Sequence, residues 1–504
     1  MTSSILVAAG DFVRPHVDYH ALAPEIILGL GICLVILVDL FLPERLKYLT
    51  GQLTGLIMLA AVIPVVTLGV IGDDVRALFD GRYVIDNFAL VMKGVFLLSG
   101  YVVVLMSANT AEEGRYHQGE YYALLLASVT GMVMISSGRD LVSMFVALEL
   151  LSIPSFMLAA WRKRDRKSNE AGMKYFLLAV FSSAVMLYGM SLLYGISGST
   201  LFTDIAQSIT GKGQMGAAQV LGVVFVIIGF AFKVSAVPFH SWAPDVYEGS
   251  PTPITAFLSV ASKAAGFVAL VVLIFVSFPQ AGDTYRPFLW VLTALTMTIG
   301  NLMALRQTNM VRMLAYSSIS QGGFVMMPLV VAGRGETDSI IRAVVIYLII
   351  YSATNLGAFA VVIAVARRTG SGEISSYSGL LKYAPGLTWV MTLFLASLAG
   401  IPPFGGWYAK FGAFRAVLEA GGGWANSIAV IAAFNTVISA AYYINVMRQM
   451  WMRPAPEGDH SPIKVPGALM AALAITAIAT LVLGILPGLT NGNITDLSGA
   501  FLIR

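Results

Sequence analysis

Apolar runs of roughly 20 residues recur along almost the whole chain, and nothing else in the sequence constrains the fold so tightly. A hydrocarbon core about 30 Å thick takes about 20 helical residues to cross. Only helices and closed barrels satisfy every backbone polar group in lipid. Bounded by charges or Gly/Pro clusters, the runs fall near 22–42, 52–71, 86–107, 121–137, 141–160, 173–196, 217–239, 254–278, 286–305, 310–332, 340–366, 387–417, 425–450 and 467–489. They predict an all-α polytopic membrane protein of about fourteen transmembrane helices. Only 12% of the 504 residues are charged, whereas water-soluble domains carry about 25%. That is too little charge to coat a surface facing water.

The same residues exclude several chemistries. A single cysteine, Cys33, lies inside the first run, which rules out an intrachain disulfide, a Cys-based zinc site and an iron–sulfur cluster. The five histidines (His16, His20, His117, His240 and His460) are scattered, no two in one span, which argues against haem. No Gly-rich dinucleotide fingerprint follows a strand, so neither a cofactor nor a metal is expected in this chain. Residues 1–20 are too broken by charge for a secretory signal, so the first span is expected to act as its own insertion signal.

Charge asymmetry gives a direction. With the N-terminus outside, the loops facing the cytoplasm carry sixteen Lys and Arg and the opposite loops nine. Most of the difference lies in the loop holding Arg162, Lys163, Arg164, Arg166 and Lys167. Short loops rich in Lys and Arg resist translocation, so both termini are expected outside.

Six basic residues (Lys93, Lys174, Lys233, Lys263, Lys410 and Arg415) fall within spans, with the acids Glu25, Asp39 and Glu149. A charge at the centre of a span costs about 2.5–3.5 kcal/mol on insertion scales, so each needs a partner or a wet cavity. Lys174 and Lys93 lie near helix starts, where a long side chain reaches the interface by snorkelling. Glu25 follows Pro24 at a helix N-terminus, where a carboxylate suits the dipole. Glu149, Lys233, Lys263 and Lys410 lie too deep for either account. A structural Glu–Lys ion pair is the plain alternative, but one acid cannot neutralise three lysines. A buried lysine whose charge switches as a carboxylate approaches or retreats can carry a proton, and intramembrane relay is the functional reading.

Two spans carry helix breakers beside their lysines. Pro238 follows Lys233 in FKVSAVPFHSW, and Pro402, Pro403, Gly405 and Gly406 precede Lys410 in AGIPPFGGWYAKFG. A break inside a membrane survives only where protein or water satisfies the freed backbone groups. Paired interruptions point to a transport site built from discontinuous helices. They fall in spans seven and twelve, five apart, so two five-helix repeats (spans 4–8 and 9–13) would run in opposite orientations. The implied divisions are 1–120, holding the first three helices; 121–280, the first repeat; 281–452, the second; and 453–504, the last helix. The loop after span seven holds Asp245 and Glu248 but no Lys or Arg. Either it is a folded polar connection or a wet intake zone in which His240 and these acids pass protons.

The segment GFAFKVSAVPFHSWAPDVYEGSPTPITAFLSVASKAAGF resembles the signature of the antiporter-like membrane subunits of proton-pumping NADH:quinone oxidoreductase, respiratory complex I. So do EYYALLLASVTGMVMISSGRDLVSMFVALELLSIPSFMLAA, RQTNMVRMLAYSSISQGGF and LASLAGIPPFGGWYAKFGAF. ALELLSIPSF together with PDVYEGSPTP favours the subunit N family over its larger paralogues. The resemblance implies fourteen helices with two inverted repeats, in a bacterial inner membrane. It implies that Glu149 pairs with Lys233, that Lys263 is a central relay and that Lys410 serves the second half-channel. His240, Gln321, Tyr316, Ser317 and Ser318 become accessory candidates. Gln321 stands where many relatives have histidine, and an amide cannot titrate. Partners would be the other membrane and peripheral subunits and the lipid bilayer, with no nucleic acid; FMN, iron–sulfur clusters and quinone would belong to those other subunits. The rival readings are a subunit of a multi-chain cation/proton antiporter, a relative in a membrane-bound hydrogenase, and a scaffold with no conducting path.

Overall fold

The computed structural model describes residues 17–71, 75–113, 118–210, 215–455 and 461–488. Both termini lie outside the described residues, as do Arg14, His16, Arg115, His117, Lys212, His460 and Arg504. Among the described residues, twelve helices are long and apolar enough to cross a membrane. They begin with Ala23–Phe41, Tyr48–Val70, Asn87–Ala108, Gln118–Ser137, Leu141–Ala159 and Arg166–Ser197. They continue through Thr252–Ser277, Gly282–Ala304, Met310–Val331, Thr337–Thr369, Gly423–Met452 and Gly467–Ile485. Two shorter apolar helices, Ala217–Lys233 and Pro385–Ala399, occupy the remaining places. Those two are the spans in which the sequence places its breakers. Proline cannot continue a helix, because its ring removes a donor and meets the carbonyl four residues back.

Several helices exceed their predicted bounds. Arg166–Ser197 begins seven residues before the apolar run, where the Asp165 carboxylate caps it by accepting from Lys167 N–H at 2.9 Å. Such a cap satisfies a donor that the first helical turn leaves free. The predicted loop between the second and third spans contains a hairpin, Arg76–Leu78 pairing antiparallel with Tyr83–Ile85. It turns through Phe79, Asp80 and Gly81, all at positive φ. These are the only strands among the described residues, so the architecture is all-α with one small outer hairpin.

The same pattern of helix packing occurs twice along the chain. In the first, Gln118–Ser137 packs on Leu141–Ala159, and Arg166–Ser197 packs on both Ala217–Lys233 and the short helix Trp242–Gly249 that follows the break. In the second, Gly282–Ala304 packs on Met310–Met326, and Thr337–Thr369 packs on both Pro385–Ala399 and Gly405–Ala420. Burial is graded across the bundle. Thr252–Ser277 and Met310–Val331 are wholly enclosed, while Ala23–Phe41 and Gly467–Ile485 turn most of their surface outward. A helix apolar all round that is also fully buried belongs at the core of a membrane bundle.

Candidate functional site

Each deep lysine sits at an irregularity of its helix, and each is held by neutral groups. Ala217–Lys233 ends at Lys233, and Ser235 two residues on takes a left-handed φ of 58°. The backbone freed by the break finds partners in protein. Val237 N–H donates to the Thr296 hydroxyl at 2.9 Å, and the Trp242 indole donates to Phe232 O at 3.0 Å. Lys233 is 3% exposed; its ammonium donates to the Ser152 hydroxyl at 2.9 Å and the Tyr175 hydroxyl at 3.3 Å. Trp242 stacks on the Tyr175 ring at 4.6 Å and so fixes that phenol.

The expected contact between Glu149 and Lys233 is not made. Glu149 is half-buried, and its carboxylate accepts from the Ser183 hydroxyl at 2.7 Å. Lys233 reaches Ser152 instead, one turn along the helix that carries Glu149. Neutral hydroxyls therefore hold both charges in this arrangement, where a direct ion pair was expected.

Lys263 starts the helix Lys263–Val272, directly after the π-helical turn Leu258–Ser262. A π-turn holds an extra residue and re-aims the side chains beyond it. The Lys263 ammonium donates to the Ser318 hydroxyl at 2.6 Å and sits 5.6 Å from the centre of the Tyr247 ring. Aromatic faces attract a cation without neutralising it.

Lys410 belongs to the second half of its broken span. Pro385–Ala399 stops at Gly400, whose φ of 87° is the left-handed geometry that glycine supplies at a helix end. Gly405–Ala420 then begins, with Gly406 N–H donating to the Ser397 hydroxyl at 2.9 Å. The Lys410 ammonium turns back to donate to Leu398 O and Ala399 O, both at 3.0 Å. A cation thus caps the negative end of the preceding half-helix.

Between Lys263 and Lys410 the accessory residues divide. Gln321 Nε2 donates to Leu398 O at 3.1 Å and to the Tyr443 hydroxyl at 3.3 Å, and its Oε1 accepts from the Tyr347 hydroxyl. Ser317 and the Tyr443 hydroxyl share a hydrogen bond of 2.5 Å. Tyr316 is buried but enters none of these bonds. His240 lies half-buried beyond the first break. Sequence reasoning missed Ser152, Tyr175, Ser183, Tyr347 and Tyr443. Only Ser152 carried a signal, since three residues from Glu149 on a helix means the same face.

The other ionisable residues resolve into ion pairs. Lys93 does not snorkel: it is fully buried and donates to Glu25 at 2.6 Å, where the Tyr83 hydroxyl also donates at 2.6 Å. The hairpin brings Tyr83 across helix Ala23–Phe41, so the chain supplies a partner where the interface was expected to. Arg139 and Asp86 form a second buried pair at 2.7 Å. Lys174 does lie at the surface, bonded to Glu170 at 2.7 Å and Asp245 at 2.8 Å. Arg312 joins Asp245 at 3.0 Å and Glu248 at 2.8 Å. Arg415 is exposed and meets Glu419 at 2.7 Å. Among the described residues, no three His, Cys, Asp or Glu come together as a metal site.

Twelve long apolar helices with two shorter ones, broken near the buried Lys233 and Lys410, make this a polytopic all-α membrane protein. Residues 138–439 match the family described as NADH:quinone oxidoreductase/Mrp antiporter, TM. NADH-quinone oxidoreductase subunit N of Trichlorobacter lovleyi is 38% identical over 476 residues, covering 94% of this chain and 95% of that relative. A chain of respiratory complex I from Thermus thermophilus with bound aureothin is 30% identical, at a TM-score of 0.76 over 92% of this chain and 98% of that one. A chain of the Mrp complex from Dietzia sp. has a TM-score of 0.81 at 22% identity, over 96% of this chain and 98% of that one, and so shares the fold. The chain belongs to this family, within its NADH-quinone oxidoreductase subunit N branch.

Proposed function

We propose that this chain is the proton-translocating antiporter-like subunit N of an NADH:quinone oxidoreductase. The observation that carries the reading is that Lys233, Lys263 and Lys410, each under 5% exposed, are held by hydroxyls and carbonyls. A charge held by neutral groups can leave as a proton without stranding a counter-ion. Residues 121–280 and 281–452 act as two half-channels, residues 1–120 and 453–504 flank them, and Lys263 links the two. The chain itself binds no cofactor; FMN, iron–sulfur clusters and quinone belong to other subunits, with which it assembles in a bacterial inner membrane. The sixteen-to-nine charge asymmetry supports an orientation with both termini outside.

The working step is a change of partner. When Lys233 swings from Ser152 to Glu149, its charged form gains a counter-ion; when it swings back, the proton is free to pass toward Lys263. Moving each charge outward against the membrane potential takes about 2.3 kcal/mol per 100 mV, so electron transfer in the neighbouring subunits must drive it. The test is proton pumping by the assembled complex carrying Glu149→Gln, compared with its NADH oxidation. Lost pumping with assembly preserved supports the relay, and undisturbed pumping rejects Glu149's part in it. Sodium-dependent proton flux without an electron donor would move the assignment to the antiporter reading.

A further inference from the structure

Asp245 and Glu248 lie three residues apart on the short helix Trp242–Gly249, and so on one face of it. A single terminal nitrogen of Arg312 donates to both, to Asp245 Oδ1 at 3.0 Å and to Glu248 Oε2 at 2.8 Å. From helix Arg166–Ser197, Lys174 holds Asp245 at 2.8 Å and Lys167 holds Glu248 at 3.2 Å. Arg312 belongs to Met310–Met326, so the short helix is tied to one element from each half of the chain. Partly exposed ion pairs add little stability. What this cluster supplies is position.

The same helices hold the deep lysines. Trp242, three residues before Asp245, stacks at 4.6 Å on Tyr175, whose hydroxyl accepts from Lys233 at 3.3 Å. Tyr247, between the two acids in sequence, is fully buried, and its ring centre lies 5.6 Å from the Lys263 ammonium. Ser318, six residues beyond Arg312 on Met310–Met326, accepts from Lys263 at 2.6 Å. Lys263 therefore stands against a ring carried by Trp242–Gly249 and a hydroxyl carried by Met310–Met326. These two helices pack on each other, and Arg312 joins them.

We propose that Arg312 is a positioning residue for Lys263, a role that rests on Lys263 being a proton carrier. By joining Asp245 and Glu248 to Met310–Met326, it sets the spacing between Tyr247 and Ser318. That spacing fixes the surroundings of the Lys263 ammonium, which a ring face and a hydroxyl both favour. Arg312 takes no proton itself, since a guanidinium stays protonated in proteins. With the link broken, Lys167 and Lys174 alone hold the acids, so Trp242–Gly249 follows Arg166–Ser197 and parts from Ser318. Lys233 keeps its phenol in that case, because Tyr175 already belongs to Arg166–Ser197. The effect falls on Lys263.

The test uses the complete complex in sealed vesicles and reads protons pumped per NADH oxidised, with Lys263→Met setting the scale of the loss. Arg312→Gln removes the charge and keeps a polar side chain; it is expected to show most of the loss seen in Lys263→Met. Arg312→Lys restores a cation with donors for both acids and is expected to recover most of it. A side chain that merely fills space would give Gln and Lys the same result. Should Arg312→Gln not assemble, Asp245→Asn with Glu248→Gln breaks the same link from the other helix and is expected to give the same loss. Adding Arg312→Gln to that pair should cost nothing further, because residues that share one network do not add. Parental pumping by Arg312→Gln, no recovery in Arg312→Lys, or a further loss in the triple variant overturns the positioning role. So does an equal loss in Arg415→Gln, which removes an exposed ion pair on another helix. Lost pumping in Lys263→Met beside parental pumping in Arg312→Gln rejects only the part given to Arg312, while parental pumping in Lys263→Met rejects the relay beneath it.

Discussion

Lys233 donates to Ser152, three residues beyond Glu149 on one helix face, while Glu149 is occupied by Ser183. The two charges that would have to meet are therefore both parked on hydroxyls, and the balance between parked and joined states is set by those hydroxyls. Hydrogen bonds to charged groups contribute roughly 1.5–3 kcal/mol.

Ser152→Ala is accordingly expected to move Lys233 toward Glu149 by about tenfold, since ~1.4 kcal/mol is one decade. Pumping should slow because the lysine releases its proton less readily, with assembly intact. Parallel measurement of pumping and NADH oxidation in vesicles checks it; a Ser152→Ala complex with parental pumping would show that the hydroxyl does not compete.

The buried pair Lys93–Glu25 ties helix Asn87–Glu113 to the start of Ala23–Phe41. Removing one partner leaves the other charge buried alone, at a cost of about 3–5 kcal/mol, whereas an apolar replacement of both is often neutral. Glu25→Leu or Lys93→Met singly should lower the thermal stability of the purified complex, and the double variant should recover most of it. A double variant worse than either single one would contradict this account.

Gly406 illustrates a close approach that no side chain can share. A Cβ there would overlap Ser397 O, while a Cβ at Gly412 in the same helix would meet nothing within 4 Å. Gly406→Ala should unseat the half-helix that carries Lys410 and deplete the subunit from the assembled complex. Gly412→Ala should leave assembly intact and add roughly 0.5–1 kcal/mol of helix stability. Quantifying the subunit in purified complex distinguishes the two.

At the surface, burial opposes ionisation of Asp245 and Glu248. Their bonds to Lys174, Arg312 and Lys167 outweigh it and hold both carboxyls below the ordinary range. A carboxyl depressed in the folded state adds stability that is present above its unfolded value near pH 4 and lost as pH falls through the folded one. The unfolding midpoint should therefore drop below about pH 4, more gently in Asp245→Asn, and the contribution should shrink at high salt because these groups are partly exposed. Identical acid profiles for the parent and Asp245→Asn would remove the cluster from the account.

The number of crossings, the two breaks and the three deep lysines were all legible along the chain. Partition into lipid depends on consecutive side chains, and a proline stops a helix wherever it falls. Lys93 shows where that logic ends: its position predicted an interfacial amine, but Glu25, 68 residues away, lies beside it. The partners of the relay lysines are of the same kind. Ser318 is 55 residues from Lys263, and Tyr443 is 122 from Gln321. Periodicity reports which face of a helix is buried, but a hydrogen bond depends on separation and angle between atoms on different helices. Packing alone brings those atoms together, so the chain by itself determined where charge would be buried, and the tertiary structure decided which neutral groups would hold it.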